Sequence, residues 1–274
     1  MSTPRQIIVE SSETVSRGFL NVTKYALRHS TPDGGMSGTI VREVMERGHA
    51  AAVLVYDPGR DEVLLVEEFR VGNLAAGLPP QECWSLGPVA GMIDEGETGL
   101  ETAIREAREE AGIDLNGARV AGPLRYLSSP GGSSEMIEIF VACADLGAAD
   151  AGLVSNDEGE FTRPVTMSRD ELDSLVMTGL VPASLVAASR LLDKEFPRGS
   201  FALITTVDGE IDVDAGHPTR ESALNALRAI LSEIARRHGH GQVVSADLSE
   251  EALEDLVDEL DLDGITWRIE EFAR

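Results

Sequence analysis

The spacing of apolar positions separates strands from helices along the chain. HAAAVLVYD (49–57) and EVLLVEEFR (62–70) are β-rich runs, and Pro58 and Gly59 between them predict a hairpin. Upstream, from about 15 to 47, extended pieces are broken at STPDGGMSG, where Pro32, Gly34, Gly35 and Gly38 mark turns. NLAAGLPPQE (73–82) reads as a loop. ARVAGPLRYLSS and MIEIFVACADL predict strands on either side of PGGSSE, followed by an acidic loop, SNDEGE. SRDELDSLVMTG and PASLVAASRLLDKE carry apolar residues at helical spacing. Beyond about 197 the character changes. SFALITTVDGEIDVD predicts a strand or hairpin, TRESALNALRAILSEIARRHG and EEALEDLVDEL predict amphipathic helices, and ITWRIEEF predicts a last strand. The expected architecture is α/β, with a β-rich segment (1–47), a central domain (48–196) and a small acidic α+β extension (197–274) joined at Pro197 and Gly199.

The pattern that stands apart is GMIDEGETGLETAIREAREEAGI (91–113). Thr98 followed by Glu101 has the spacing of a capping box, and Gly112 closes the helix they open. On that helix Glu106, Glu109 and Glu110 share one face. Like charges at i and i+4 destabilise a helix by a few tenths of a kcal/mol (roughly 0.2–0.5). A hard divalent cation offsets that cost, since it takes carboxylate oxygens that are already ionised at neutral pH. A solvated face with Arg105 and Arg108 as local partners is the plainer reading of the helix alone.

Charge and composition narrow the field. The chain has 274 residues, 42% of them hydrophobic, and a formal net charge of −25. That balance opposes binding to nucleic-acid backbones or acidic membranes, and no basic patch offsets it. No run approaches the ~20 apolar residues needed to cross a bilayer. MSTPRQIIVE lacks the layout of a signal peptide, so a cytoplasmic protein is expected. Cys83 and Cys143 form no CxxC pair and are expected to be reduced and structural.

Gly91, Glu97, Arg105–Glu106, Glu109–Glu110 and Gly112–Ile113 fall at every fixed position of the Nudix box, which this stretch resembles. The resemblance implies an α/β/α sandwich that hydrolyses a nucleoside diphosphate linked to another moiety. It implies Mg²⁺, or Mn²⁺ in its place, held by Glu106, Glu109, Glu110 and the main-chain carbonyl of Ala90. Arg105 would orient the glutamates and Glu97 would brace the loop. An anionic pocket binds an anionic diphosphate only through bridging metals, which also stabilise transition-state charge.

Outside the box, residues ~15–195 resemble the ADP-ribose pyrophosphatase group in VREVMERGHAAAVLVYDPGRDEVLLVEEFRVG (41–72), SPGGSSE (129–135) and RGF (17–19). The group implies that Phe19 and Arg42 sandwich the adenine, that Arg70 contacts the substrate near its phosphates, and that Ser133 and Glu135 lie near the terminal ribose. It also implies a general base in the acidic loop, Glu158 first and Glu160 next, and a homodimer formed through N-terminal strands. The chain departs from the group at Gly87 and in the longer loop VGNLAAGLPPQECW. Other nucleoside diphosphate sugars, GDP-mannose or UDP-glucose, are the first alternative substrates. A non-catalytic ADP-ribose sensor is the second reading. Residues 195–274, with eighteen acidic and seven basic side chains, do not suit the DNA-binding module such a sensor carries.

Overall fold

The computed structural model describes residues 5–147, 154–155, 161–198, 201–207, 210–217, 220–237, 249–259 and 265–271. The elements are β1 (Ile7–Ser16), β2 (Asn21–His29), β3 (Ile40–Glu46), β4 (Ala50–Asp57), β5 (Glu62–Phe69), α1 (Val71–Ala75), β6 (Trp84–Gly87) and β7 (Val89–Met92). There follow α2 (Gly99–Ala111), β8 (Val120–Leu127), β9 (Met136–Cys143), β10 (Val154–Ser155), β11 (Phe161–Ser168), α3 (Arg169–Thr178) and α4 (Ala183–Glu195). The last are β12 (Phe201–Val207), β13 (Glu210–His217), α5 (Arg220–Arg237), α6 (Glu250–Glu259) and β14 (Ile265–Glu271).

The central sheet is mixed, in the order β10-β11-β5-β4-β9-β8, with β6 added to β5 and β7 to β4. Among the described residues of this sheet, only β4 and β9 run parallel. The hairpin β4–β5 stays paired for Val55–Asp57 against Glu62–Leu64 and then parts. Beyond the fork, Ala50–Val53 pair with β7 and Val66–Phe69 pair with β6. Both faces of β4 are covered, which is why its sequence is continuously apolar. Ala51, Val53 and Val55 pack toward Ala103, Ala107 and Ala111 of α2. Ala52, Leu54 and Tyr56 pack toward Leu185, Ala188, Leu192 and Phe196. Each leucine buried there contributes about 1.5–3 kcal/mol of transfer free energy.

β1, β2 and β3 form a separate antiparallel sheet, in chain order. β1 is exposed along its whole length. β13-β12-β14 form a third sheet whose Leu203 packs with Ala223, Leu224, Leu227, Leu231 and Leu253, a cluster distinct from the two cores of the central sheet.

Three local expectations differ from the structure. Residues 73–82, read as a loop, overlap α1 and a 3-10 turn at Pro80–Glu82, both too short to show a period. β11 was not expected, because Pro164 sits inside it. Pro164 faces Val66 of β5, and among the described residues β10 pairs with Phe161 and Thr162. β1 also begins at Ile7, well before the expected extended region.

Candidate active site

α2 is set by its ends. Thr98 and Glu101 form a reciprocal capping box, and Gly112 adopts φ 67°, the left-handed conformation that closes the helix. Alanines 103, 107 and 111 pack the helix on the sheet, which turns its charged side toward β7. At Gly91 of β7 an added Cβ would lie 1.7 Å from Glu106 Oε1, so glycine is required there for the carboxylate to occupy its place. Glu97 accepts from Arg105 Nε at 3.1 Å through one oxygen and from Nη2 at 3.1 Å through the other, a bidentate pair, and from Thr102 Oγ1 at 2.8 Å. Arg105 beside it holds the Glu97 carboxyl below its ordinary range. Arg105 also donates to Glu106 at 2.7 Å, Glu109 at 3.2 Å and the Met92 carbonyl at 3.2 Å. Glu97 thereby holds the guanidinium that donates to Glu106 and Glu109.

Glu110 accepts from the Ala90 amide at 3.2 Å. Removal from water pushes its carboxyl up to about 8; the Ala90 hydrogen bond and Arg70 oppose the rise, while Glu106 and Glu68 add to it. Glu109, by contrast, is 56% exposed and turned to Arg105. Among the described residues no three His, Cys, Asp or Glu side chains converge as a ready ion cage. Glu106 and Glu109 are both engaged by Arg105. The donor set nevertheless fits a hard divalent cation: all are oxygen donors, and a cation beside Glu110 offsets the burial that, more than the nearby carboxylates, disfavours its charged form.

The flanking residues fall into separate groups. Phe19, 87% exposed, stands between β1 and β2. Arg42 on β3 lies opposite Tyr25 and donates to the Val41 carbonyl at 2.7 Å. β3 leads toward the proline loop, where the Met45 amide donates to the Gly132 carbonyl at 2.8 Å. In that loop Ser133 and Glu135 are buried, Ser133 Oγ accepts from the Glu135 amide at 3.1 Å, and Arg47 Nε lies 3.2 Å from Glu135. Arg70 follows β5, its Nη2 2.5 Å from Glu68. Glu158 and Glu160 lie outside the described residues. Beside them in the chain, Ser155 pairs with Phe161, and Thr162 Oγ1 donates to the Glu110 carbonyl at 3.2 Å.

Residues 45–186 match the family profile described as NUDIX domain, more than half of the chain. The chain belongs to the NUDIX family. It is 41% identical over 177 residues to the ADP-ribose pyrophosphatase of Escherichia coli K12, covering 64% of this chain and 82% of the relative. It is 34% identical to the ADP-ribose pyrophosphatase of Haemophilus influenzae, over 56% of this chain and 71% of that one. A GDP-mannose pyrophosphatase of Cronobacter sakazakii is 35% identical over 54% of this chain and 78% of its own length. Among solved structures, the crystal structure of an ADP compounds hydrolase superposes with a TM-score of 0.53 at 23% identity, covering 71% of this chain and 96% of that one, and supports the α/β sandwich.

The NUDIX helix and its partners were legible in the sequence, whereas Glu68 and Thr162 were not singled out. A signal for Glu68 exists in the two-residue period Leu64, Val66, Glu68, which points it to the same face as the aliphatics facing α2. Thr162 offered none, since Pro164 hid its strand.

Proposed function

We propose that this NUDIX chain hydrolyses the diphosphate bond of ADP-ribose, water attacking one phosphorus to give AMP and ribose 5-phosphate, with Mg²⁺ or Mn²⁺ as cofactor. The observation that carries the reading is the crowded, inward-turned pair Glu106 and Glu110 against Gly91 and Ala90, a negative pocket matched to cation-bridged phosphates. The 41% identity to an ADP-ribose pyrophosphatase supports the substrate. Glu106, Glu109, Glu110 and the Ala90 carbonyl would hold the cation, which would supply charge neutralisation for the diphosphate and acidify the attacking water. Arg105, braced by Glu97, orients the glutamates. Glu158, with Glu160 next, takes the proton of the attacking water. Phe19 and Arg42 stack on the adenine, Arg70 meets the phosphates, and Ser133 and Glu135 flank the terminal ribose.

The same reading divides the chain into a dimerisation and substrate segment (1–47), the hydrolase domain (48–196) and a separate acidic unit (197–274), in a cytoplasmic homodimer. The apolar side chains left exposed on the first sheet, among them Ile7, Val9, Val15 and Val41, support a second copy as their cover. The deciding experiment is turnover of ADP-ribose, GDP-mannose, UDP-glucose, NADH and diadenosine polyphosphates with Mg²⁺ or Mn²⁺, reading nucleotide and phosphate release. ADP-ribose is expected to give the highest kcat/KM. Preference for GDP-mannose moves the substrate to that class, and binding of ADP-ribose without AMP release turns the protein into a sensor.

A further inference from the structure

The site contains a buried carboxylate to which the hydrolase reading gives no task. Glu68 is 8% exposed, at the end of β5 on the face that meets α2. Its cross-strand neighbours are Thr162 on β11 and Ser85 on β6, both buried, so a polar row crosses three strands where aliphatics would otherwise continue the core. The hydroxyls of that row are engaged. Thr162 donates to the Glu110 carbonyl at 3.2 Å, and Ser85 Oγ accepts from Asn73 Nδ2 at 2.8 Å. Arg70 bridges to Glu68 at 2.5 Å while its side chain stays 44% exposed. The guanidinium therefore stands at the boundary, held from below by a carboxylate and open above.

A buried carboxylate is costly unless paired, and a free arginine side chain loses several rotamers when it binds an anion. Each group removes the other's cost. A planar guanidinium has five N–H donors in a fixed fork; Glu68 engages part of the fork and leaves donors for a phosphate oxygen. We propose that Glu68 is a positioning residue whose buried carboxylate fixes the Arg70 guanidinium at the mouth of the site, facing the substrate's diphosphate. This rests on the diphosphate-hydrolase reading. Glu68 itself touches no substrate.

The test compares wild type, Glu68→Gln, Glu68→Asp, Arg70→Ala and the double variant Glu68→Gln/Arg70→Ala. Three readouts are taken: kcat and KM for ADP-ribose, calorimetric binding of its non-hydrolysable α,β-methylene analogue, and the Arg70 side-chain Nε–H resonance in ligand-free protein. Glu68→Gln is expected to raise KM and the analogue's Kd by about tenfold with kcat changed less than about twofold, the signature of lost ground-state binding. Glu68→Asp should recover part of the loss. In the Arg70→Ala background Glu68→Gln should add nothing, because coupled residues are not additive. The Arg70 resonance should broaden or shift in Glu68→Gln. Wild-type KM and Kd in Glu68→Gln, or a loss that adds in full to that of Arg70→Ala, overturns the positioning role while leaving the hydrolase reading intact. A wild type that neither binds nor cleaves the diphosphate overturns that reading and the purpose given to Glu68, and an unchanged Arg70 resonance separately overturns the anchoring.

Discussion

Gly91 and Glu110 show why residues far apart in composition act as one device. Gly91 leaves the space that the Glu106 carboxylate occupies, and Glu106 in turn acts on the buried Glu110 carboxyl. Glu110→Gln should lower kcat by a factor of about 10² or more, given the several kcal/mol that metal-based charge stabilisation supplies. It should also abolish the rise in Tm expected from Mg²⁺ binding to the folded state, without lowering the Tm of metal-free protein, because burial and the neighbouring carboxylates already disfavour the charged form of Glu110. Near-normal turnover removes Glu110 from the ligand set. In Gly91→Ala the added carbon displaces Glu106, and kcat should fall at least about tenfold at unchanged secondary structure by circular dichroism; wild-type kcat shows the contact to be dispensable. Glu158→Gln should lose kcat with metal affinity intact, and an unaffected rate transfers the role of base to Glu160.

At the scale of elements, the helix ends are the most legible feature, since capping acts over three residues and needs no tertiary context. Thr98–Glu101 opened α2 as the sequence led one to expect, and Ser168–Glu171 builds the same box on α3. The hydrogen bonds from Thr98 hold Glu101 below its ordinary value, and those from Ser168 do the same for Glu171. A depressed carboxyl stabilises the fold above its unfolded pKa, and that contribution is lost as pH falls through the folded value. Glu171→Gln should therefore melt below wild type at pH 7, and the gap should shrink as pH falls through the depressed folded value; a gap that does not shrink in acid refutes the box as its source. Legibility failed where an element takes its identity from its neighbours. β11 contains Pro164 and is a strand because β5 needs a partner on that side, while β6 and β7 are four residues each and exist through the fork in the hairpin. Glu68 went unnoticed for the same reason, its burial depending on three strands at once.

Among the described residues, three hydrophobic clusters belong to the two faces of the central sheet and to the C-terminal sheet, and none to the first sheet. On the proposal that a second copy covers the exposed first sheet, Ile7→Glu with Val9→Glu should turn the dimer into monomer by light scattering; an unchanged mass places the contact elsewhere. β3 closes at Glu46 and α4 at Glu195, while the mutual pairing of strands within each sheet needed coordinates. The fork between β4 and β5 has a topological consequence. An ordinary sheet consumes its backbone donors in the ladder and has spare ones only at its rims. Where β4 and β5 part, β7 pairs with β4 alone, so the Ala90 N–H is spare in the middle of the layer and is given to Glu110. The protein thus owns an internal rim, shielded from the edge-to-edge association that threatens an outer one, and places its most crowded carboxylate there.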